Sequence, residues 1–116
     1  MNIQTMSLSE IWEEIERRAN EKPELIEEMT AKYVFHITGK ETGNYGLFFD
    51  GQKVDVIPDA SSEEADCSLL MNVDNFKKLL EGNLNSASAF MTGRLKVKGN
   101  IGLALKLENL LKKFDI

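Results

Sequence analysis

The alternation of apolar and polar positions divides the chain into short, well-punctuated elements. Ser7 and Glu10 stand three apart just ahead of Ile11, Trp12 and Ile15. That is a capping box opening an amphipathic helix over roughly residues 8 to 20, with an acidic outer face. Pro23 suits a first helical position, so "PELIEEMT" predicts a short second helix. "KYVFHITG" sets Tyr33, Phe35 and Ile37 against Val34, His36 and Thr38, the period-two pattern of a strand with one face more buried. After a turn in "KETGNYG", the stretch "YGLFFDGQKVDVIPD" predicts two strands joined at Asp50-Gly51, with Pro58 ending the second.

The second half of the chain is richer in helix. "CSLLMN" predicts a fourth strand that passes into the helix "VDNFKKLLEGN", with Phe76, Leu79 and Leu80 turned inward and Gly82 at its end. "NSASAFMTG" predicts a short helix capped near Asn85 and stopped at Gly93; "RLKVKG" is a fifth strand, and "NIGLALKLENLLKKF" is the closing helix. Strands in the middle with helices at both ends predict an α+β fold, a largely antiparallel sheet covered on one face by helices. Lys53, Asp55, Arg94, Lys96 and Lys98 alternate with apolar residues, which predicts a largely wet opposite face.

Composition narrows the classes of function. With 116 residues, 42% of them hydrophobic, the chain fills one domain, residues 1–116, without needing staples. A net charge of −5 disfavours meeting nucleic acid or an anionic membrane through the bulk field. The single cysteine excludes an intramolecular disulfide framework, and the cytoplasm is the expected compartment. "MNIQTMSLSEIWEEIERR" lacks the features of a signal peptide, and nowhere do about 18 apolar residues run together.

A search for catalytic chemistry returns little. One histidine rules out any site that needs two imidazoles, and His36 has neither a nearby cysteine nor a serine in a nucleophile elbow. Cys67 opens an apolar strand, as a small buried hydrophobe would. The carboxylates of "EEIER" and "ELIEE" lie on helix faces, so no metal is assigned. Asp50 is explained by its turn, which leaves Asp55 without an acid–base partner. "GKETGNYG" joins two strands and lacks the Lys-Ser/Thr ending of a phosphate loop. "GNIG" has Lys96 and Lys98 before it but no preceding helix, a poor match to an RNA-clamping GxxG. The sequence implies no cofactor and no nucleic acid partner.

The closing helix is apolar on more than one side. At about 100° per residue, Leu103, Leu107, Leu110 and Phe114 form one stripe with Ala104 and Leu111 beside it. Ile101 and Leu105 fall on the far side, among Glu108, Asn109 and Lys112. Either neighbouring elements bury these first turns on all sides, or Ile101 and Leu105 face an internal cavity or a partner. "FKKLLEGNLNSASAFM" adds Phe76, Leu79, Leu80, Leu84, Phe90 and Met91, separated by small residues, as in an adaptable pocket or plain core.

"DGQKVDVIPD", followed by "ADCSLLMNVDNFKKLLEGNLNSASAFMTGRLKVKGNIGLALKLENLL", closely resembles the sterol carrier protein type 2 domain, the nonspecific lipid-transfer family. The most specific part runs from Gly82 to Leu110, and the likeness covers roughly residues 5 to 114. It implies a five-stranded, mostly antiparallel sheet with about five helices over one face and an apolar tunnel between the layers. Fatty acid, fatty acyl-CoA, phospholipid or sterol would be held there, with transfer as a further expected role and no reaction catalysed. By position it assigns the ligand to Trp12, Ile15, Phe35, Leu47, Phe49, Phe76, Leu80, Phe90, Met91, Leu103 and Leu107. Arg94, Lys96 and Lys98 become candidates for a headgroup or transient membrane contact, against a role as solubilising charge. The ending "KKFDI" carries no peroxisomal Ser-Lys-Leu signal and the first helix is unusually acidic beside familiar eukaryotic members, which leaves a peroxisomal address unsupported; a small prokaryotic-type stand-alone protein fits the resemblance better, and there acyl chains or phospholipids are better expected cargo than sterol. The rival reading is a protein-interaction or dimerisation module with a filled core; monomer and dimer are equally compatible with the sequence.

Overall fold

A computed structural model describes residues 2–114; Met1 and the last two residues of the "KKFDI" end lie outside the described residues. The capping box forms as the sequence predicts. Ser7 accepts from the Glu10 N–H and the Glu10 carboxylate accepts from the Ser7 N–H, which starts α1 (Leu8–Glu21). Ile11, Trp12, Ile15 and Ala19 bury one face of this helix. The other is acidic and tied by Glu14 to Arg17 and Arg18.

"PELIEEMT" does not become an α-helix: only a 3₁₀ turn, Pro23–Leu25, separates α1 from β1 (Thr30–Thr38). Eight residues lie between the end of α1 and the start of β1. One turn is enough there to swing Ile26 and Met29 into the core. β2 (Gly43–Asp50) and β3 (Val54–Pro58) form the expected hairpin, but its loop is longer than the two residues of the tightest type. The Asp50 carboxylate accepts from the Gln52 and Lys53 N–H groups, and Gly51 takes a positive φ of 90°. β4 (Cys67–Asn72) leads into α2 (Val73–Leu80), followed by α3 (Ser86–Met91), β5 (Lys96–Gly99) and α4 (Ile101–Lys113). The described residues thus hold four α-helices and three 3₁₀ turns where about five helices were expected.

The sheet order is β3-β2-β1-β4-β5, with β1 at the centre, and every pair but one is antiparallel. In that pair β1 and β4 run parallel, Tyr33 opposite Cys67 and Ile37 opposite Met71. α1 guards the β3 edge: Asn20 both donates to the Val54 carbonyl and accepts from its N–H, each at 2.9 Å, while Glu16 accepts from the Val56 N–H.

The core lies between the sheet and the helices. Tyr33, Phe35, Ile37, Leu47, Phe49, Leu69 and Met71 face inward from the strands, with Trp12, Phe76, Leu80, Leu107 and Leu110 opposite. Leu47 and Phe49, rather than Phe48, take the core side. The outer face is not wet throughout. Val34 is fully buried on it, beside a small group in which Phe48, Ile57 and Ala60 crowd the bare backbone of Gly46. A Cβ at Gly46 would lie 2.8 Å from the Phe48 ring, so glycine is what lets this outer layer close. Among the described residues no helix is long and apolar enough to cross a membrane.

Candidate functional site

The greater part of the assigned ligand wall packs against itself. Trp12 sits at the centre of an aromatic cluster, its ring 5.0 Å from Phe35, 5.1 Å from Phe76 and 5.3 Å from Tyr45. Ile15, Leu47, Phe49, Leu80 and Leu107 are buried around it, and Leu103 is half-buried. The side chains expected to border a tunnel fill the space between the layers. Trp12 Nε1 is buried there without a hydrogen-bond partner among the described residues.

Phe90 and Met91 differ from the rest. They are 43% and 85% exposed, and with Ile101 and Leu105 at 50% and 45% they form an apolar surface at the α3–β5–α4 corner. Burial of the first turns of α4 on all sides is therefore excluded. Between these residues lies a groove of about 160 Å³, with Leu95, Val97 and Ala104 in its wall and Ser86 and Ala87 at its α3 end. The local sequence builds it. Asn85 caps α3 by accepting from the Ser88 N–H, and the small residues Ser86, Ala87 and Ala89 let this helix lie close to α4. β5 turns Val97 inward and Lys96 and Lys98 outward. Sequence periodicity singled out Ile101 and Leu105, set Ala104 beside the core stripe and raised the small residues around Ala87 as pocket lining, but it missed Leu95 and Val97, whose only signal is branched apolar residues two apart in the fifth strand segment.

One buried polar link holds α3 to α4. The Ser86 N–H donates to Glu108 Oε1 at 3.1 Å and the Ser86 hydroxyl donates to Glu108 Oε2, with both residues buried. Lys112 Nζ lies 3.8 Å from the same carboxylate. Gly82 and Gly93, on either side of α3, both have φ of 78° and open space around the Cβ position.

The catalytic candidates are occupied structurally. His36 Nδ1 lies 2.9 Å from Asn44 Oδ1 on the outer face. Burial, followed by the Asp66 carboxylate, pushes the Cys67 thiol up to about 11, so it stays protonated at neutral pH. Burial raises the Tyr33 phenol as well; its hydroxyl donates to the Leu103 carbonyl at 2.8 Å, tying β1 to α4. Among the described residues no three His, Cys, Asp or Glu side chains come together as a metal site requires. Arg94, Lys96 and Lys98 are exposed, and among the described residues none has a carboxylate partner.

Known proteins with this pattern carry the same architecture. A family model described as the SCP-2 sterol transfer family matches residues 12–112. The Xenopus laevis hydroxysteroid dehydrogenase-like protein 2 is 38% identical over 108 residues, 93% of this chain but 25% of that protein. The chain thus spans about a quarter of the length of that relative. Human sterol carrier protein 2 is 33% identical over 104 residues, 86% of this chain and 19% of that protein. The apo form of sterol carrier protein 2 from Yarrowia lipolytica superimposes with a TM-score of 0.74 at 33% identity, over 90% of this chain and 89% of that one. Sheet, helices and matched span agree, and this chain belongs to the SCP-2 sterol transfer family.

Proposed function

We propose that this domain binds the apolar chain of a fatty acid, fatty acyl-CoA or phospholipid at the α3–α4 groove and carries it between membranes, without catalysis. The observation that carries this reading is the groove itself. Phe90, Met91, Ile101 and Leu105 surround an apolar opening on a helix face that would otherwise be polar. Each methylene buried there contributes about 0.8 kcal/mol. Family membership and the names of its sterol-carrier relatives support lipid as the class of ligand, with sterol the less expected cargo. The dehydrogenase name of the longer relative is not carried over.

At about 160 Å³ the groove is smaller than the roughly 300–1,000 Å³ of pockets that engulf a drug-sized ligand, so it serves as a mouth. A long chain is admitted as α3 swings about Gly82 and Gly93, opening the way to the side chains around Trp12. Arg94, Lys96 and Lys98 border the same corner and favour an anionic head or membrane surface. One free, buried thiol is at home in a reducing cytoplasm.

The test is native mass spectrometry after incubation with palmitate, palmitoyl-CoA and phospholipid vesicles, followed by solvent extraction. A stoichiometric adduct is expected. A mass that stays bare with all three overturns the reading; a dimer by sedimentation would then make Ile101 and Leu105 part of an interface between proteins.

A further inference from the structure

On the outer face of the sheet, the start of β5 meets the ends of β1 and β4 in a cleft of about 440 Å³ lined by His36, Thr38, Asn72, Asn75, Arg94 and Lys96, among others. We propose that this cleft binds a phosphate-class anion and, resting on the lipid-binding reading above, that it takes the phosphate-bearing head of an amphiphile whose chain lies in the α3–α4 groove.

Four features point this way. First, two cations with no carboxylate partner among the described residues stand together on a chain of net charge −5. Among the described residues no carboxylate lines the cleft, whereas Glu13 and Glu16 line the depression beside Trp12 and Tyr45.

Second, Asn75 is a polar residue only 8% exposed, yet its side-chain amide has no hydrogen-bond partner among the described residues. It lines this cleft, and its backbone N–H is already spent on the Asn72 cap. An amide held in a wall with unused donors is a recognition element for an acceptor-rich ligand.

Third, Arg94 is oriented. Its Nε donates to the Thr92 hydroxyl at 3.0 Å, which in turn donates to the Ser88 carbonyl at 2.9 Å. The two terminal amino groups are left for a bidentate contact, which planar guanidinium makes well with phosphate oxygens. Asn44 holds the His36 ring through Nδ1, and Nε2 has no partner among the described residues.

Fourth, the two sites adjoin. Met91 lines the groove while Gly93 and Arg94 line the cleft, so three residues of chain, at most about 11 Å, separate them. Such a span suits an amphiphile with its phosphate close to the acyl chain. Lys98 lies outside the cleft lining, so the cleft draws on two of the three outward cations of this segment.

The experiment compares two lipids that differ only in the phosphate, oleoyl lysophosphatidate and monooleoylglycerol, by calorimetry on the full chain. Inorganic phosphate is a third probe, followed by the side-chain amide resonances of Asn75. Lysophosphatidate is expected to bind about tenfold more tightly than monooleoylglycerol. The Arg94→Gln/Lys96→Gln variant is expected to erase that difference and leave monooleoylglycerol affinity unchanged, while Lys113→Gln keeps it. A shift of the Asn75 amide with inorganic phosphate marks a cleft that also takes the free anion; a shift with lysophosphatidate alone marks one that takes the lipid head only. Equal affinity for both lipids with no Asn75 shift overturns the proposal and leaves lipid binding standing. A phosphate-induced shift with neither lipid bound keeps the anion cleft and overturns the lipid reading.

Discussion

Replacing Ile101 and Leu105 together by serine separates a ligand-receiving surface from a structural one. The two side chains are about half exposed, so roughly half of each remains to be covered by a bound chain. Fully burying an Ile or Leu side chain is worth about 1.5–3 kcal/mol, and half of each, summed, comes to about 2 kcal/mol. At 1.4 kcal/mol per tenfold, the dissociation constant for palmitate rises about 30-fold. Stability falls as well, by a bounded amount. The half of each side chain already buried is worth about 2 kcal/mol by the same count, and the helix keeps Ala104, Leu107, Leu110 and Leu111 in the core, so the melting temperature falls by on the order of 8 °C. The assay pairs calorimetric titration of palmitate with a melting curve on the same sample. Unchanged affinity in the folded variant would refute the groove as the binding mouth, and a melting temperature lowered by much more than about 8 °C would show that Ile101 and Leu105 are structural.

Three further outcomes are expected. Gly99→Ala forces a Cβ to within 2.4 Å of the Asp66 carbonyl oxygen at a φ of 95°, so it costs about 3 kcal/mol and lowers the melting temperature by on the order of 10 °C; a melt within error of the parent would refute it. Glu108→Ala leaves the buried Ser86 N–H and hydroxyl without their acceptor, at about 2 kcal/mol. Hydrogen exchange of the α3 amides should accelerate before that of the strands does, and uniform acceleration would show that the link is not local. Cys67, buried and with its thiol held up to about 11, should react with a disulfide reagent slowly in the native protein and quickly in denaturant at the same pH. Fast native labelling would mean that the β4 end opens readily.

Local chemistry was legible along the chain, and long-range placement was not. Ser7 and Glu10, Asn85, and the Asp50-Gly51 turn all act within a few residues, and each is where the pattern put it. Ile101 and Leu105 showed in the helical phase because a helix projects a one-dimensional pattern onto faces. The parallel seam between β1 and β4 left no such trace, since parallel pairing needs a connection that periodicity does not record. The cleft proposed to hold an anion was also hidden, because His36, Asn75 and Arg94 come from three separate segments of the chain. Arg94 and Lys96 were visible as a charged strip, but nothing in the sequence said that an unpaired amide would stand beside them. Trp12, Phe35 and Phe76 carry the same letters whether they border a tunnel or fill it, so the pattern alone could not tell a closed interior from an open one.

The parallel seam has a consequence for how the chain reaches this state. Everything on one side of it comes from residues 2 to 58 and, apart from the short connection that follows, everything on the other side from residues 67 to 113. The hairpins within the first half close over short distances, but joining the halves pairs segments such as Lys32 and Asp66 at a separation of 34 residues. Until that junction forms, β4 has a bare edge, and Leu69 and Met71 have no layer to cover them. The groove is made wholly from residues 86 to 105, in the half of the chain that is synthesised second. The segment proposed to receive a ligand therefore lies in the same half as that uncovered apolar surface during synthesis, and an amphiphile that binds there early would act as a folding aid.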